Sequence, residues 1–235
     1  MSNDLYHNAK LLFQAARLGN TAEVERLSAQ TFENSWLGQA LVSAARYGHI
    51  ECVKVLIKDF GAATISQTFD KNWQGNALVS AAYFGHIECV KVLTKGSRFS
   101  DKGEALAQAA AEGHDDCVQF LIPLCRPTYQ QSLALRLAAF GGHAKCVELL
   151  IPVSKPQDKA NDALRAAVEK KHPSCIDLLY PVSNPHAALR CMQKHHPHSY
   201  DIWGVLHQRI ESEKLHQILT TEAVGSIQTQ HTRKM

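Results

Sequence analysis

Nowhere in the sequence does an apolar run approach the roughly 18 positions that a membrane-spanning helix needs. The opening residues, MSNDLYHNAK, carry no apolar stretch of the signal-peptide kind. Charge of one sign is also scarce: 25 Lys and Arg stand against 22 Asp and Glu, a formal net charge of +3. That is too small to mark a nucleic-acid or membrane-surface protein, and the basic residues are scattered rather than gathered in one stripe. There is no Gly-rich phosphate loop, no G-x-S-x-G elbow and no carboxylate pair at a defined spacing. These gaps argue against a membrane partner, a nucleic-acid partner, a small-molecule substrate and a cofactor. What is present suits a packed core: 45% of residues are hydrophobic and 20% charged. Seven Cys in a chain long enough to fold without staples read as reduced thiols, hence a cytoplasmic setting.

Internal repeats dominate the rest. Residues 40–58 read ALVSAARYGHIECVKVLIK and residues 77–95 read ALVSAAYFGHIECVKVLTK, identical at 16 of 19 positions. The unit recurs from Glu104, Leu133 and Asp162, with degenerate copies from Lys10 and Ala187. The turn glycine falls at Gly19, Gly48, Gly85, Gly113 and Gly142, then gives way to Lys171 and His195, with steps of 29, 37, 28, 29, 29 and 24. A near-constant step means stacked units.

Each unit reads as two short helices. The first puts small Ala residues on one face, so neighbours can approach closely. Gly48 and its equivalents end it, because glycine reaches the left-handed conformation at little cost. The second carries an apolar stripe at Cys52, Val53, Leu56 and Ile57, with Glu51, Lys54 and Lys58 toward water. Neither helix is long enough to stand alone.

The phrases AARYGHIECVKVLI and AAYFGHIECVKVLI resemble the ankyrin repeat, over roughly residues 5–203. The resemblance implies an all-α solenoid of about seven repeats. The family's T-P-L-H opening is replaced by Gln-Ala-Leu-Val at 39–42 and Asn-Ala-Leu-Val at 76–79, and the later hairpin segments are shortened, so the hairpin fingers are expected to be short or missing. Pro123, Pro127, Pro152, Pro156, Pro181 and Pro185 are expected to end the second helices and stiffen the links. Residues 204–222 break the period, with Leu206, Ile210, Leu215, Ile218 and Leu219 as a rough helical stripe; a capping helix is expected, with partner presentation as the alternative. Residues 223–235 are expected to be a mobile tail.

His-x-x-Cys occurs as His49/Cys52, His86/Cys89, His114/Cys117, His143/Cys146 and His172/Cys175. Zinc binding or thiol catalysis is the alternative function these pairs raise. Core packing is the preferred reading. The Cys stands where the repeat needs an apolar residue, and the His stands in a turn where it can bond to backbone. Repeats about 10 Å apart cannot share one metal through bonds of about 2 Å. Five alike copies also single out no nucleophile. His195, His196 and His198 read as a decayed repeat rather than a metal tract.

The resemblance implies that the two residues between Ala-Ala and Gly-His lie on a concave face and contact partners. They are Arg17/Leu18, Arg46/Tyr47, Tyr83/Phe84, Ala111/Glu112, Phe140/Gly141 and Glu169/Lys170. The two nearly identical copies differ at both positions. Tyr47, Tyr83, Phe84 and Phe140, with Arg46, Glu112 and the nearby Trp36 and Trp73, form the candidate partner site, since aromatics and Arg dominate binding hot spots. Packing between repeats, with Trp36 and Trp73 bracing hairpin tips, is the competing reading. The expected function is a non-enzymatic protein-binding module acting by occupancy, of the immunity-protein, inhibitor or effector type. Such an effector would be delivered into a host cell.

Overall fold

The computed structural model describes residues 3–29, 34–63, 73–125, 129–155 and 158–232. Pro127 and Pro156 lie outside these residues, as does the tail beyond Thr232. The described residues form seven helix pairs: α1 (Asn3–Leu18) and α2 (Thr21–Ser28), α3 (Asn34–Arg46) and α4 (Ile50–Ala63), α5 (Trp73–Tyr83) and α6 (Ile87–Leu93), α7 (Phe99–Glu112) and α8 (Asp115–Leu121), α9 (Tyr129–Gly141) and α10 (Ala144–Leu150), α11 (Asp158–Glu169) and α12 (Pro173–Leu179), and α13 (Pro185–His195) and α14 (Tyr200–Thr232). No described residue forms a strand, so the described links carry no β-hairpin. Three outer helices run on into 3-10 turns, Ile122–Leu124, Ile151–Val153 and Tyr180–Val182, each with a proline at its second position. Its missing N–H cannot continue the i→i−4 ladder, so the α-helix stops there.

Odd-numbered helices form an inner layer and even-numbered helices an outer one. The inner layer is faced with alanine: Ala44 and Ala45, Ala81 and Ala82, Ala109 and Ala110, Ala138 and Ala139 are all fully buried. Between them runs one leucine per helix, from Leu12 and Leu27 through Leu41, Leu56, Leu78 and Leu93 to Leu164 and Leu179, also fully buried. The result is a single ribbon of core along the stack, not a central ball. Inner helices pack more closely on one another than outer helices do. A stack packed tighter on one side curves toward that side, so the exposed flanks of the inner helices line its concave face.

The turns between inner and outer helices hold the repeats in register. Gly19, Gly48, Gly85, Gly113 and Gly142 all have φ between 74° and 80°. A second reason for glycine is visible at Gly85: a Cβ there would lie 2.5 Å from Nδ1 of His114, the turn histidine of the next repeat. The same ring donates from Nε2 to the Tyr83 carbonyl at 2.9 Å. His49, His86, His143 and His172 repeat the bond, to the carbonyls of Arg17, Arg46, Ala111 and Phe140. A carbonyl only accepts, so Nε2 carries the hydrogen in each. Lys171 holds the same left-handed turn without glycine, at φ 58°. The next outer helix starts at Tyr200 rather than directly after His196, so the sequence match of His196-Pro197 to His172-Pro173 is not a structural one.

The boundary expected at 203/204 falls inside α14, which begins at Tyr200 and is the outer helix of the seventh repeat. Leu206 and Ile210 are buried against the end of the stack. Tyr180 donates to Glu213 at 2.6 Å, and the Arg209 guanidinium lies 4.4 Å over the Tyr180 ring. Burial, then the Glu213 carboxylate, push the Tyr180 phenol up to about 12. Beyond that contact, residues 214–221 are exposed.

Candidate partner-binding face

The residues between Ala-Ala and Gly-His emerge at the C-terminal ends of the inner helices, at the rim of the concave face. Helix geometry and the histidine staples leave them no core to enter, so large apolar rings stand in solvent. Tyr47 is 47% exposed, Tyr83 40%, Phe84 39% and Phe140 45%. Arg46 and Glu112 are also exposed.

Neighbouring side chains hold this row in place. Tyr83 and Phe84 meet edge to face, with centroids 4.9 Å apart. The Arg46 guanidinium lies 5.1 Å from the Phe84 centroid and so ties the second repeat to the third. Phe84 also stacks beside His86, as Tyr47 does beside His49. Two repeats on, Lys170 sits 4.4 Å over Phe140. Such cation–π contacts orient a ring at modest energy, about 0.5–1 kcal/mol at an exposed site. Next to Tyr83 and Phe84, an open groove of 330 Å³ runs between α5 and α7, over Asn76, Val79, Ser80 and Tyr83 on one wall and Glu104 and Gln108 on the other.

Trp36 and Trp73 lie elsewhere. They are half-buried in the first turns of α3 and α5, not at hairpin tips. Ten residues of helix, about 15 Å, separate Trp36 from Arg46. The reason is packing: Trp73 covers Gly38, where a Cβ would come within 2.2 Å of the ring. Trp36 meets Tyr6 edge to face at 5.7 Å. Both tryptophans brace junctions between inner helices, at the opposite end from the aromatic row.

Two exposed apolar residues extend the row into the first repeat. Leu18 is 73% exposed and Phe13 36%. Phe13 was not among the sequence candidates. Its place matches Val42 and Val79, which the helical pattern reads as core-flanking, so only the curvature of the stack reveals it.

The His-x-x-Cys pairs separate in space. Each histidine faces the preceding repeat, while Cys52, Cys89, Cys117, Cys146 and Cys175 are buried to 1% exposure or less. Burial pushes the Cys89, Cys117 and Cys146 thiols up to about 11, with neighbouring carboxylates adding to it. Cys125 reaches the same range through burial. These thiols stay protonated at neutral pH.

The model of the family described as ankyrin repeats in three copies matches residues 12–103, 64–132 and 106–188. The chain belongs to the ankyrin-repeat family. Among solved structures, 69 chains match. One is the crystal structure of the human ASB11 ankyrin repeat domain, 22% identical, with a TM-score of 0.59 over 73% of this chain and 82% of that one; at that identity it shows the fold alone. No curated protein sequence matches the chain. Ankyrin-repeat domains generally mediate protein–protein interaction, and no helix among the described residues is long and apolar enough to cross a membrane.

Proposed function

We propose that this protein is a non-enzymatic binding module that holds another protein on its concave face and acts by occupancy, blocking or sequestering it in the manner of an inhibitor, immunity protein or effector. The cytoplasm is the proposed site of action. The observation that carries the reading is the row Tyr47, Tyr83, Phe84 and Phe140. These rings are nearly half exposed at positions the stack does not dictate, and each has a cation or a neighbouring ring beside it that favours one orientation. Exposed aromatics are the usual anchors of an interface, since they cover much area at small entropic cost. The thiol-enzyme alternative finds less support. A nucleophile needs an accessible thiolate beside a base, whereas these sulfurs face the core and the histidine Nε2 atoms are engaged by carbonyls.

The test is a calorimetric titration with a partner captured from native cells. Replacing Tyr47, Phe84 and Phe140 together by Ala is expected to weaken binding by at least about 2 kcal/mol, about 30-fold, with the circular dichroism spectrum retained. Lys54→Glu and Lys91→Glu on the outer layer are expected to change affinity little. Unchanged affinity in the folded triple variant refutes the reading.

A further inference from the structure

The concave face is electrically divided. In repeats one to three, its positions are Lys10, Phe13, Gln14 and Arg17 on α1, Gln39, Val42 and Arg46 on α3, and Asn76, Val79, Ser80 and Tyr83 on α5. Between residues 6 and 18, 35 and 47, and 73 and 86 there is no carboxylate side chain. Lys10, Arg17 and Arg46 are exposed there. Among the described residues none of the three enters an ion pair, whereas outer-layer cations do, as in Lys54–Glu51 and Lys91–Glu88. Repeats four to six differ. Their concave positions bring in Glu104, Glu112, Asp162 and Glu169 beside Arg136, Arg165 and Lys170; Arg165 is tied to Asp162 at 2.7 Å and Lys170 lies over Phe140, so carboxylates and cations are mixed there. With an overall charge of +3, the asymmetry lies in the arrangement of charges, not their total.

Resting on the concave-face reading above, we propose that repeats one to three recognise an acidic peptide segment of the partner carrying large apolar side chains. Its carboxylates would lie against Arg17 and Arg46, which have donors to spare. Its apolar anchors would pack on Phe13, Leu18 and Tyr47 and enter the groove between α5 and α7. Glu104, on the far wall of that groove, sets the limit of the acid-accepting zone. A basic segment would leave Arg17 and Arg46 opposed by like charge, a penalty that sets specificity more than affinity. A single-stranded nucleic acid would also meet cations and rings, but base stacking needs open ring faces. Here Arg46 covers Phe84, and Tyr83 stands edge-on to it.

The experiment selects binders from a random 12-residue peptide library on the immobilised full chain, in parallel with Arg17→Glu/Arg46→Glu and Tyr47→Ala/Phe84→Ala variants. The expected peptides carry an excess of Asp and Glu with at least one large apolar residue. After resynthesis they bind the charge-reversed variant at least tenfold more weakly and lose affinity as salt rises. Peptides that depend on Tyr47 and Phe84 but show no acidic excess, or that bind Arg17→Glu/Arg46→Glu as tightly, overturn the charge inference alone. Acidic peptides that ignore Tyr47→Ala/Phe84→Ala, or no enrichment at all, overturn both this inference and the concave-face reading. Tighter binding of a 20-residue oligothymidylate than of the selected peptides overturns the choice of a peptide partner.

Discussion

Replacing Gly85 by Ala tests how the stack is held in register. Two costs are expected. An L-residue at φ 74° loses about 1–2 kcal/mol. The new Cβ, placed 2.5 Å from Nδ1 of His114, must also displace the ring that donates to the Tyr83 carbonyl. Losing that bond adds about 0.5–1.5 kcal/mol, toward the lower end because the carbonyl is exposed to water. The sum is about 2–3 kcal/mol. For an m-value of about 3 kcal/mol/M in urea, the unfolding midpoint drops by about 0.8 M. The decisive comparison is the double-mutant cycle with His114→Ala. Without the ring only the backbone cost remains, so Gly85→Ala should cost about 1 kcal/mol less in that background. Urea unfolding followed by circular dichroism at 222 nm measures all four proteins. Equal costs in both backgrounds would show that the glycine is required for its dihedral angle alone and that the ring is no staple.

Other consequences follow from the same geometry. Lys171 holds a left-handed turn without glycine, so Lys171→Gly should raise stability by up to about 1 kcal/mol, the relief of backbone strain exceeding the added unfolded-state entropy; a lower urea midpoint would count against it. The Cys89, Cys117, Cys125 and Cys146 thiols lie near 11 in the folded chain, above the usual 9.0. The unfolded chain therefore sheds protons first, and stability should hold below about pH 9 and fall as pH rises toward about 11; a flat profile over that window contradicts the burial of the thiols. Truncation after Glu213 keeps Leu206, Ile210 and the Tyr180 contact, so its melting temperature should match that of the full chain. Removal from Gly204 on, or Leu206→Ala, should lower stability, the latter by about 2–5 kcal/mol; equal melting temperatures for both truncations would show that α14 does not cap the stack.

Most of the fold is legible in the sequence because the repeat states it several times. A positive-φ glycine, an alanine pair and a buried Cys-Val-x-x-Leu phrase recur at one spacing, and each copy checks the others. The row at Arg46/Tyr47 and Tyr83/Phe84 is legible for the same reason: where the copies diverge, packing does not choose the residue. Trp36 and Trp73 are placed less well. Their role depends on a partner in the preceding repeat, Gly38 for Trp73 and Tyr6 for Trp36, and those pairings have no signature along the chain. The start of α14 is hidden because the turn from His196 to Ser199 lacks both the positive-φ glycine and the staple histidine, of which each other turn keeps at least one. The place of Phe13 and Lys10 emerges only when curvature turns one flank of α1 into part of a shared surface.

The most direct test of concave-face binding places a photo-crosslinking phenylalanine derivative at Phe84 in one variant and at Lys91 in another, both as the full chain in native cells. The account predicts one protein adduct from the Phe84 position, lost when Tyr47 is also replaced by Ala, and none from Lys91 on the outer layer. An equal adduct from Lys91, or an adduct to nucleic acid in place of protein, would contradict it.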